Sequence, residues 1–215
     1  MSTELDLRRG WVEEELAAEF PELRLVHATL PFATWRSPRS VRDRLKAMSD
    51  RFTGPKAVQV RQQPVPWAYR VFFRQIGIDP DYRRTPVEAA ALERMRAGAF
   101  QSSNLLDDAI MIATVETGVP LLAYDAERVE GELGLRLAQA GERLGGDGRT
   151  LRGGEIVVGD SSSALGVLFG DLGPRRGVHP ATEQVLLAAV QVKGVPDVCV
   201  EEALWIAAET LAEDD

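Results

Sequence analysis

The sequence predicts an α+β fold in which a mixed or antiparallel sheet is flanked by helices. Helical periodicity dominates the first half of the chain, whereas short apolar runs typical of strands follow residue 120. Helices and strands are therefore segregated, which favours α+β over a doubly wound α/β fold. The chain has 215 residues, 45% of them hydrophobic, so it is long enough to bury a substantial core.

The N-terminal region predicts a helix, a strand and a second helix. Apolar residues at helical spacing define the first helix: Trp11, Val12, Leu16 and Phe20. Residues 23–32 are typical of a strand, and Ser40 is the predicted cap of the second helix. The proline-rich stretch 62–67 predicts a boundary between two lobes of the chain. We expect an N-terminal α/β lobe (1–60), packed on a core domain (61–215).

Three helices are predicted next. The first presents an apolar face of Trp67, Val71, Phe72 and Ile76, with Arg70 and Arg74 on the opposite face. The second spans 86–97, because Thr85 and Glu88 form a capping box with proline at the first helical position. The third runs from Asn104 to Thr117 and ends before glycine.

Short strands and a final helix complete the prediction. The predicted strands are 132–138, 154–160, 164–170 and 183–192. The glycine-rich stretch 141–154 lacks the Gly-Lys-Ser/Thr ending of a nucleotide-binding loop, and no helical pattern follows it. It therefore predicts a hairpin connection. Pro196 and Asp197 open a last amphipathic helix.

Composition excludes several classes of site. Cys199 is the only cysteine, so the chain forms no internal disulfide, and with two histidines it offers too few ligands for a Cys/His zinc centre. We therefore expect no metal and no cofactor. No apolar run approaches the roughly 20 residues that span a bilayer, so we expect a cytoplasmic protein without a membrane partner.

Charge is distributed unevenly along the chain. The net charge is −8, yet residues 36–84 hold twelve basic and four acidic side chains. Such a basic belt can bind a polyanion. Arginine outnumbers lysine 22 to 3, which suits bidentate phosphate recognition but is also the signature of a GC-rich genome. Charge alone leaves both explanations open.

Several polar groups are candidates for chemistry, each with a structural alternative. Asp107 and Asp108 are paired carboxylates, but neighbours on a helix diverge by about 100°, so stabilisation of the helix dipole is the simpler role. Ser161–Ser163 and His179 could form a nucleophile and base, although a serine cluster after a strand is usually a turn. Asn104 either caps its helix or places an amide at a pocket mouth.

Residues 103–142 carry a resemblance to a known family. An asparagine (Asn104) is followed after four residues by Asp108, then by Gly118 and the sequence PLLAYD, Pro120–Asp125. This pattern resembles the tRNA-binding and editing domain of the phenylalanyl-tRNA synthetase beta subunit. Residues 164–173 and 182–187 fall where that family has similar elements, so the resemblance extends over about 61–212. It implies a fold of that editing-domain type.

The resemblance also implies a function and a set of site residues. It implies a tRNA partner, with no DNA, and a pocket for an aminoacyl group or amino acid lined by Asn104, Leu122, Tyr124, Asp125, Gly170 and Ala188. The arginines implied at the tRNA entrance are Arg70, Arg74, Arg83 and Arg84. The aminoacylation core is absent, so the resemblance does not imply a ligase.

Two departures from the family pattern bear on activity. Leu122 stands where the family has histidine, and Ala188 aligns with a glutamate that reads the tyrosine hydroxyl, so catalytic residues stay unknown. Two readings remain: a tRNA-binding protein acting in trans as a hydrolase of mischarged aminoacyl-tRNA, or a non-catalytic module that binds a small, amino-acid-like ligand.

Overall fold

The computed structural model describes residues 5–214. Residues 1–4 of the predicted N-terminal lobe and the last residue of the predicted core lie outside this range. The strands are β1 (Arg8–Val12), β2 (Arg24–Pro31), β3 (Leu121–Asp125), β4 (Gly134–Leu137), β5 (Ile156–Gly159), β6 (Ala164–Val167) and β7 (Gln184–Gln191). The α-helices are α1 (Glu14–Glu19), α2 (Arg39–Arg51), α3 (Gly54–Gln59), α4 (Pro64–Gln75), α5 (Pro86–Ala97), α6 (Leu105–Thr117) and α7 (Asp197–Leu211).

Within the described residues, the strands form one seven-stranded sheet in the order β3-β7-β2-β1-β4-β5-β6. β1 pairs parallel with β4, whereas β1/β2, β2/β7, β4/β5 and β5/β6 are antiparallel. The pairing of β2 with β7 extends from Arg24 opposite Gln191 to Pro31 opposite Gln184. The predicted α+β class with a mixed sheet is confirmed.

The chain divides into two compact units. Unit one comprises Leu5, residues 33–122 and the described C-terminal residues from Val192, and unit two comprises residues 6–32 and 123–191. Residues 5–60 are therefore shared between the two units. The domain boundary near residue 60 stays a prediction from the sequence.

Each unit has its own apolar core. In unit one, Val41, Leu45 and Met48 of α2 pack with Ile112 of α6 and with Phe100. In unit two, a small cluster is built from Ala138, Leu144, Leu151, Val157 and Ala164. Leu144 and Leu151 lie within the glycine-rich stretch, which is thus an ordered connection between β4 and β5, as the sequence predicts.

The strongest local signals are confirmed. The capping box of Thr85 and Glu88 is present, and α5 ends at Gly98 with φ 81°. Asn104 is the N-cap of α6, its side chain accepting a hydrogen bond from the backbone N–H of Asp107. Gly118 closes α6 with φ 80°, and a Cβ there would approach Pro66 to 2.8 Å. Glycine is required at that position both by its backbone angle and by this contact.

The N-terminal prediction is wrong in part. Trp11 and Val12 belong to β1 and not to a helix, because β1 hydrogen-bonds to β2 on one side and to β4 on the other. The helix that contains Leu16 is shorter than predicted. α2 begins at Arg39 after Pro38, with no side-chain cap, so Ser40 lies inside the helix.

The predicted faces of α4 are also wrong in part, although Phe72 is buried and Arg74 is exposed as predicted. Trp67 and Val71 are exposed, whereas Tyr69 and Phe73 are buried. Arg70, predicted on the solvent face, is buried because its guanidinium group is held by two carboxylates. Periodicity alone could not assign this helix, because the apolar residues Trp67 and Val71 lie on its exposed side.

Among the helices that the structure describes, none combines the length and apolar character needed to cross a bilayer.

Candidate functional site

Asn104 occupies a closed local network at the start of α6 in unit one. Its Oδ1 accepts from the Asp107 N–H at 3.0 Å, and its Nδ2 donates to Asp107 Oδ2 at 2.7 Å. Both ends of the amide are thereby used by the helix terminus. The capping role is observed, and the pocket role stays a prediction.

Asp108 anchors the chain segments around the same helix start. It is fully buried, and its Oδ2 accepts from the hydroxyls of Ser37 and Ser102, each at 2.5 Å. Its Oδ1 accepts from the Ser103 N–H at 2.9 Å. Three donors therefore satisfy a buried carboxylate. The paired carboxylates of the sequence thus have separate roles, and that of Asp108 is to join the loops containing Ser37 and Ser102 to α6.

Asp125 is the buried carboxylate of unit two, at the end of β3. Its Oδ1 accepts from the Glu127 N–H at 3.1 Å, and its Oδ2 accepts from the Thr182 hydroxyl at 3.0 Å. His179 Nε2 lies 3.4 Å from the same Oδ2. The structure therefore places a half-exposed imidazole next to a buried carboxylate, a pair that the sequence analysis did not identify because 54 positions separate the two residues.

The His179 ring is held by its own loop. Its Nδ1 accepts from the Ala181 N–H at 3.2 Å, and the His179 N–H donates to Thr182 Oγ1 at 3.1 Å. Since Nδ1 already accepts and Nε2 faces a carboxylate, neither nitrogen offers an unused lone pair to a substrate in this arrangement. The pair orders the loop before β7 and presents an imidazole edge at the surface.

The serine cluster forms a turn around Asp160. The hydroxyl of Ser162 donates to Asp160 Oδ1, as do the backbone N–H groups of Ser162 and Ser163. The Ser161 hydroxyl donates to the Glu130 carbonyl at 2.6 Å. Burial raises the pKa of Asp160, but hydrogen bonds from Glu130, Ser162 and Ser163 outweigh it and leave the pKa below its usual value. The turn alternative for this cluster is confirmed.

The other predicted pocket residues of unit two lie on or beside the sheet. Tyr124, on β3, is buried, and burial raises its pKa. Ala188 is buried in β7 and stands directly opposite His27 of β2. Gly170 is exposed in the turn after β6, where its N–H donates to the Val167 carbonyl. Leu122 is half-buried on β3, in the part of the strand assigned to unit one.

His27 adds a polar group that the sequence analysis placed in a strand without a role. Its Nδ1 is buried and makes no hydrogen bond, and burial, followed by the nearby Arg8 guanidinium, lowers its pKa. Cross-strand partners in an antiparallel sheet point to the same face, so the imidazole neighbours the methyl group of Ala188. Only the strand register reveals this proximity.

The predicted tRNA arginines fall into two classes. Arg70 is buried, with Nη1 2.6 Å from Glu88 Oε1 and Nη2 2.6 Å from Asp81 Oδ1. This guanidinium group is occupied by protein carboxylates, so its environment is that of a structural residue. Arg74, Arg83 and Arg84 are exposed on the same unit.

One of these exposed arginines, Arg84, lines a cavity of about 250 Å³ in unit one. It lies between α3 and α5, with Val58, Leu92 and Met95 as apolar walls and Arg61 and Arg84 as basic groups. Nowhere in residues 5–214 do three His, Cys, Asp or Glu side chains converge as metal ligands would.

Similarity to known proteins identifies the family of this chain. The phenylalanine–tRNA ligase beta subunit of Streptomyces avermitilis is 33% identical over 94 residues, and that of Xanthomonas axonopodis pv. citri is 36% identical over 116 residues. These matches cover 42% and 52% of this chain but only 11% and 14% of the relatives. The B3/4 domain matches residues 68–198. The chain belongs to the B3/4 domain family, which is related to the editing and tRNA-binding region of those beta subunits.

Proposed function

We propose that this chain binds tRNA and holds its aminoacylated end. The observation that carries the proposal is the B3/4 match over residues 68–198, shared with the beta subunits of phenylalanine–tRNA ligases. Those relatives are named for an enzyme that acts on tRNA. An aminoacyl-tRNA is therefore the ligand class that we propose for this chain.

Exposed arginines of unit one support the RNA part of the proposal. Arg74, Arg83 and Arg84 lie within the stretch of the chain where basic residues outnumber acidic ones three to one. Guanidinium groups bind phosphate in a bidentate manner, and release of condensed counterions supplies affinity. Arg70 is left out of the proposed contact set, because two carboxylates already bind it.

Residues of unit two support the pocket part. Tyr124, Asp125, Gly170 and Ala188, all in unit two, are the proposed neighbours of the aminoacyl group. An alanine at 188 provides no side-chain acceptor for a phenolic hydroxyl, and an unpaired buried hydroxyl costs on the order of 1–3 kcal/mol. We therefore expect a smaller or wholly apolar aminoacyl side chain to bind better than tyrosine, by roughly tenfold to a hundredfold.

Hydrolysis and simple binding are the two modes to distinguish. Hydrolysis would add water to the ester carbonyl, releasing a free amino acid and restoring the ribose hydroxyl. Leu122 and Ala188 carry no acid or base, so such a reaction would depend on positioning and on the ribose hydroxyl. The same replacements favour the second candidate, a module that binds an amino-acid-like ligand without turnover.

The RNA part is tested by tRNA binding at two salt concentrations. The variant Arg74→Ala/Arg83→Ala/Arg84→Ala should weaken binding and reduce the slope of log affinity against log salt by about 2 to 3, since each phosphate contact contributes about 0.7–0.9. The control Arg128→Ala/Arg143→Ala/Arg152→Ala removes the same charge from unit two. Equal losses in both triple variants would contradict a localised surface.

The pocket part is tested with a panel of tRNAs carrying different amino acids. We expect any deacylation to favour small or apolar aminoacyl groups, and Ala188→Glu to shift the preference towards tyrosine. Selective hydrolysis of the tyrosyl ester by the unmodified protein would refute this expectation. Binding of free amino acids with no hydrolysis of any ester and no tRNA binding would support the second candidate.

A further inference from the structure

Helix α4 exposes a stripe of aromatic, apolar and basic side chains to solvent. Trp67, Val71 and Arg74 follow one another at i, i+4 and i+7, which places them on one face of the helix. Trp67 is 50% exposed, although the same helix buries Tyr69 and Phe73 almost completely. A contiguous exposed patch of large apolar or aromatic side chains is typical of an interaction surface, whereas a single exposed one is not.

A second exposed aromatic side chain lies in the turn that Arg74 contacts through Asp81. Tyr82 is 89% exposed in the turn between α4 and α5. Its N–H and that of Arg83 donate to the Asp79 carbonyl, and Asp79 Oδ1 accepts from the Asp81 N–H at 2.9 Å. The turn that carries Tyr82 is therefore closed by its own hydrogen bonds.

Arginine side chains connect the turn to the helix. The Arg74 guanidinium lies over the Trp67 ring, 6.0 Å from its centroid, and 3.6 Å from Asp81 Oδ2. The buried Arg70 guanidinium also binds Asp81, with Nη2 2.6 Å from Oδ1. Trp67 and Tyr82 are thus presented by elements whose positions are set within the unit, which lowers the ordering cost of binding.

The charge of this surface selects the class of partner. Arg61 and Arg84 are exposed and line the cavity between α3 and α5. Arg74 lies over the Trp67 ring and 3.6 Å from Asp81, the residue before Tyr82. Arg70 and Arg74 neutralise Asp81 and hold the pKa of its carboxyl below its usual value, chiefly through the Arg70 hydrogen bond. Exposed aromatic rings accompanied by guanidinium groups match a strand that offers both base faces and phosphates.

We propose that Trp67 and Tyr82 form a stacking platform for an unpaired stretch of RNA, whose phosphates contact Arg61, Arg74 and Arg84. The platform rests on the proposed tRNA binding and specifies which part of the RNA this surface contacts. A duplex keeps its base faces stacked inside, so exposed rings gain contact only from bases that are unpaired.

Affinity for a short oligouridylate and for an RNA duplex of equal charge tests the platform. Trp67→Ala/Tyr82→Ala should weaken oligouridylate binding at least about tenfold and change duplex binding less than about threefold. Trp67→Phe/Tyr82→Phe should retain binding of the oligouridylate. The control Leu172→Ala/Val198→Ala removes exposed apolar side chains elsewhere and should have no effect.

A spectroscopic signature adds an independent readout. The chain has four tryptophans, and stacking should quench the emission of Trp67 alone. Trp67→Phe should therefore abolish most of the quenching caused by oligouridylate while binding persists. If the wild type binds oligouridylate without any quenching of its tryptophan emission, the stacking contact is overturned.

The remaining outcomes separate the two proposals. If the wild type binds tRNA and the alanine pair binds both RNA probes normally, the platform is wrong and tRNA binding stands. If the wild type binds neither tRNA nor oligouridylate, both proposals fail. Self-association that depends on Trp67, with RNA binding unaffected by the alanine pair, would assign the surface to a second copy of this chain and overturn the platform.

Discussion

Substitution of Arg70 by methionine should destabilise the fold, although the sequence suggested a tRNA contact. The Arg70 side chain is 5% exposed and lies 2.6 Å from Glu88, whose side chain is 8% exposed. Glu88 Oε2 also accepts from the Thr85 hydroxyl at 2.8 Å and from the Thr85 N–H at 3.2 Å. The ion pair is therefore joined to the capping box that starts α5.

The expected magnitude follows from leaving the Glu88 carboxylate buried without its cation. Removing one partner of a buried ion pair costs about 3–5 kcal/mol. For a chain of this length 1 kcal/mol corresponds to about 2–4 °C in Tm, so Arg70→Met should lower Tm by about 6–20 °C. The exposed Asp81 contributes little to this cost, because water screens its interaction.

Urea denaturation followed by tryptophan fluorescence measures the effect. Arg74→Met is the matched control, since this exposed arginine lies one turn further along α4, and its stability should change by less than about 0.5 kcal/mol. The double variant Arg70→Met/Glu88→Gln should recover part of the loss, because no charge is then left buried. An Arg70→Met protein as stable as wild type would refute this reasoning. If that stable variant also lost tRNA affinity, the direct tRNA contact suggested by the sequence would be supported instead.

Three further outcomes follow from the buried polar groups. Asp108→Ala should cost about 3 kcal/mol in urea denaturation because three donors lose their acceptor, whereas Asp107→Ala should cost about 1 kcal/mol or less. Asn104→Ala should cost about 1 kcal/mol, the value of an N-cap, and a loss of ligand binding beyond that expected from unfolding would reveal its predicted pocket role. The pKa of Asp160 is depressed in the folded state, so its contribution is present above its usual pKa of 3.8 and is lost as pH falls through the folded value. The free energy of unfolding of the wild type should therefore exceed that of Asp160→Asn at neutral pH, and the difference should disappear in acid. A difference that does not change with pH would contradict this assignment.

Local signals with a single physical solution were predictable from the sequence. The capping box before α5 and the asparagine before α6 satisfy backbone N–H groups that have no partner within the helix, so they fix where those helices begin. Gly118 and Gly98 end helices because only glycine adopts a positive φ without strain. These positions depend on neighbours within about four residues, which the sequence displays directly.

Features set by distant parts of the chain were not predictable. β1 is a strand because β2 and β4 supply its hydrogen bonds, and Trp11 pairs with Gly134, more than a hundred positions away. The pairing of Asp125 with His179 depends on how β3 and the loop before β7 meet. Helix periodicity was equally uninformative for α4, whose buried face includes an arginine.

The candidate site residues also divide into those that a motif predicts and those whose contacts only the fold reveals. Asp108 belongs to the family pattern, and its role in anchoring two loops became visible only through its contacts with Ser37 and Ser102. His27 carried no sequence signal, yet it faces Ala188 across the β2/β7 pairing. Motifs thus identified the segments of the candidate site, while register and burial decided what individual side chains contact.

Helix α4 shows why arginine content alone is a poor guide to an RNA surface. Arg70 and Arg74 are one helical turn apart, and the turn at 79–84 brings Asp81 to 2.6 Å from the first and 3.6 Å from the second. Arg70 is buried, whereas Arg74 is exposed and lies over the Trp67 ring. The buried arginine orders this turn, and the turn displays Tyr82. We therefore expect a substitution at Arg70 to disturb RNA binding indirectly, by releasing the turn, because two carboxylates already hold its guanidinium. Binding measured at temperatures where each variant is fully folded, with Arg74 as the comparison, separates this indirect effect from a direct contact.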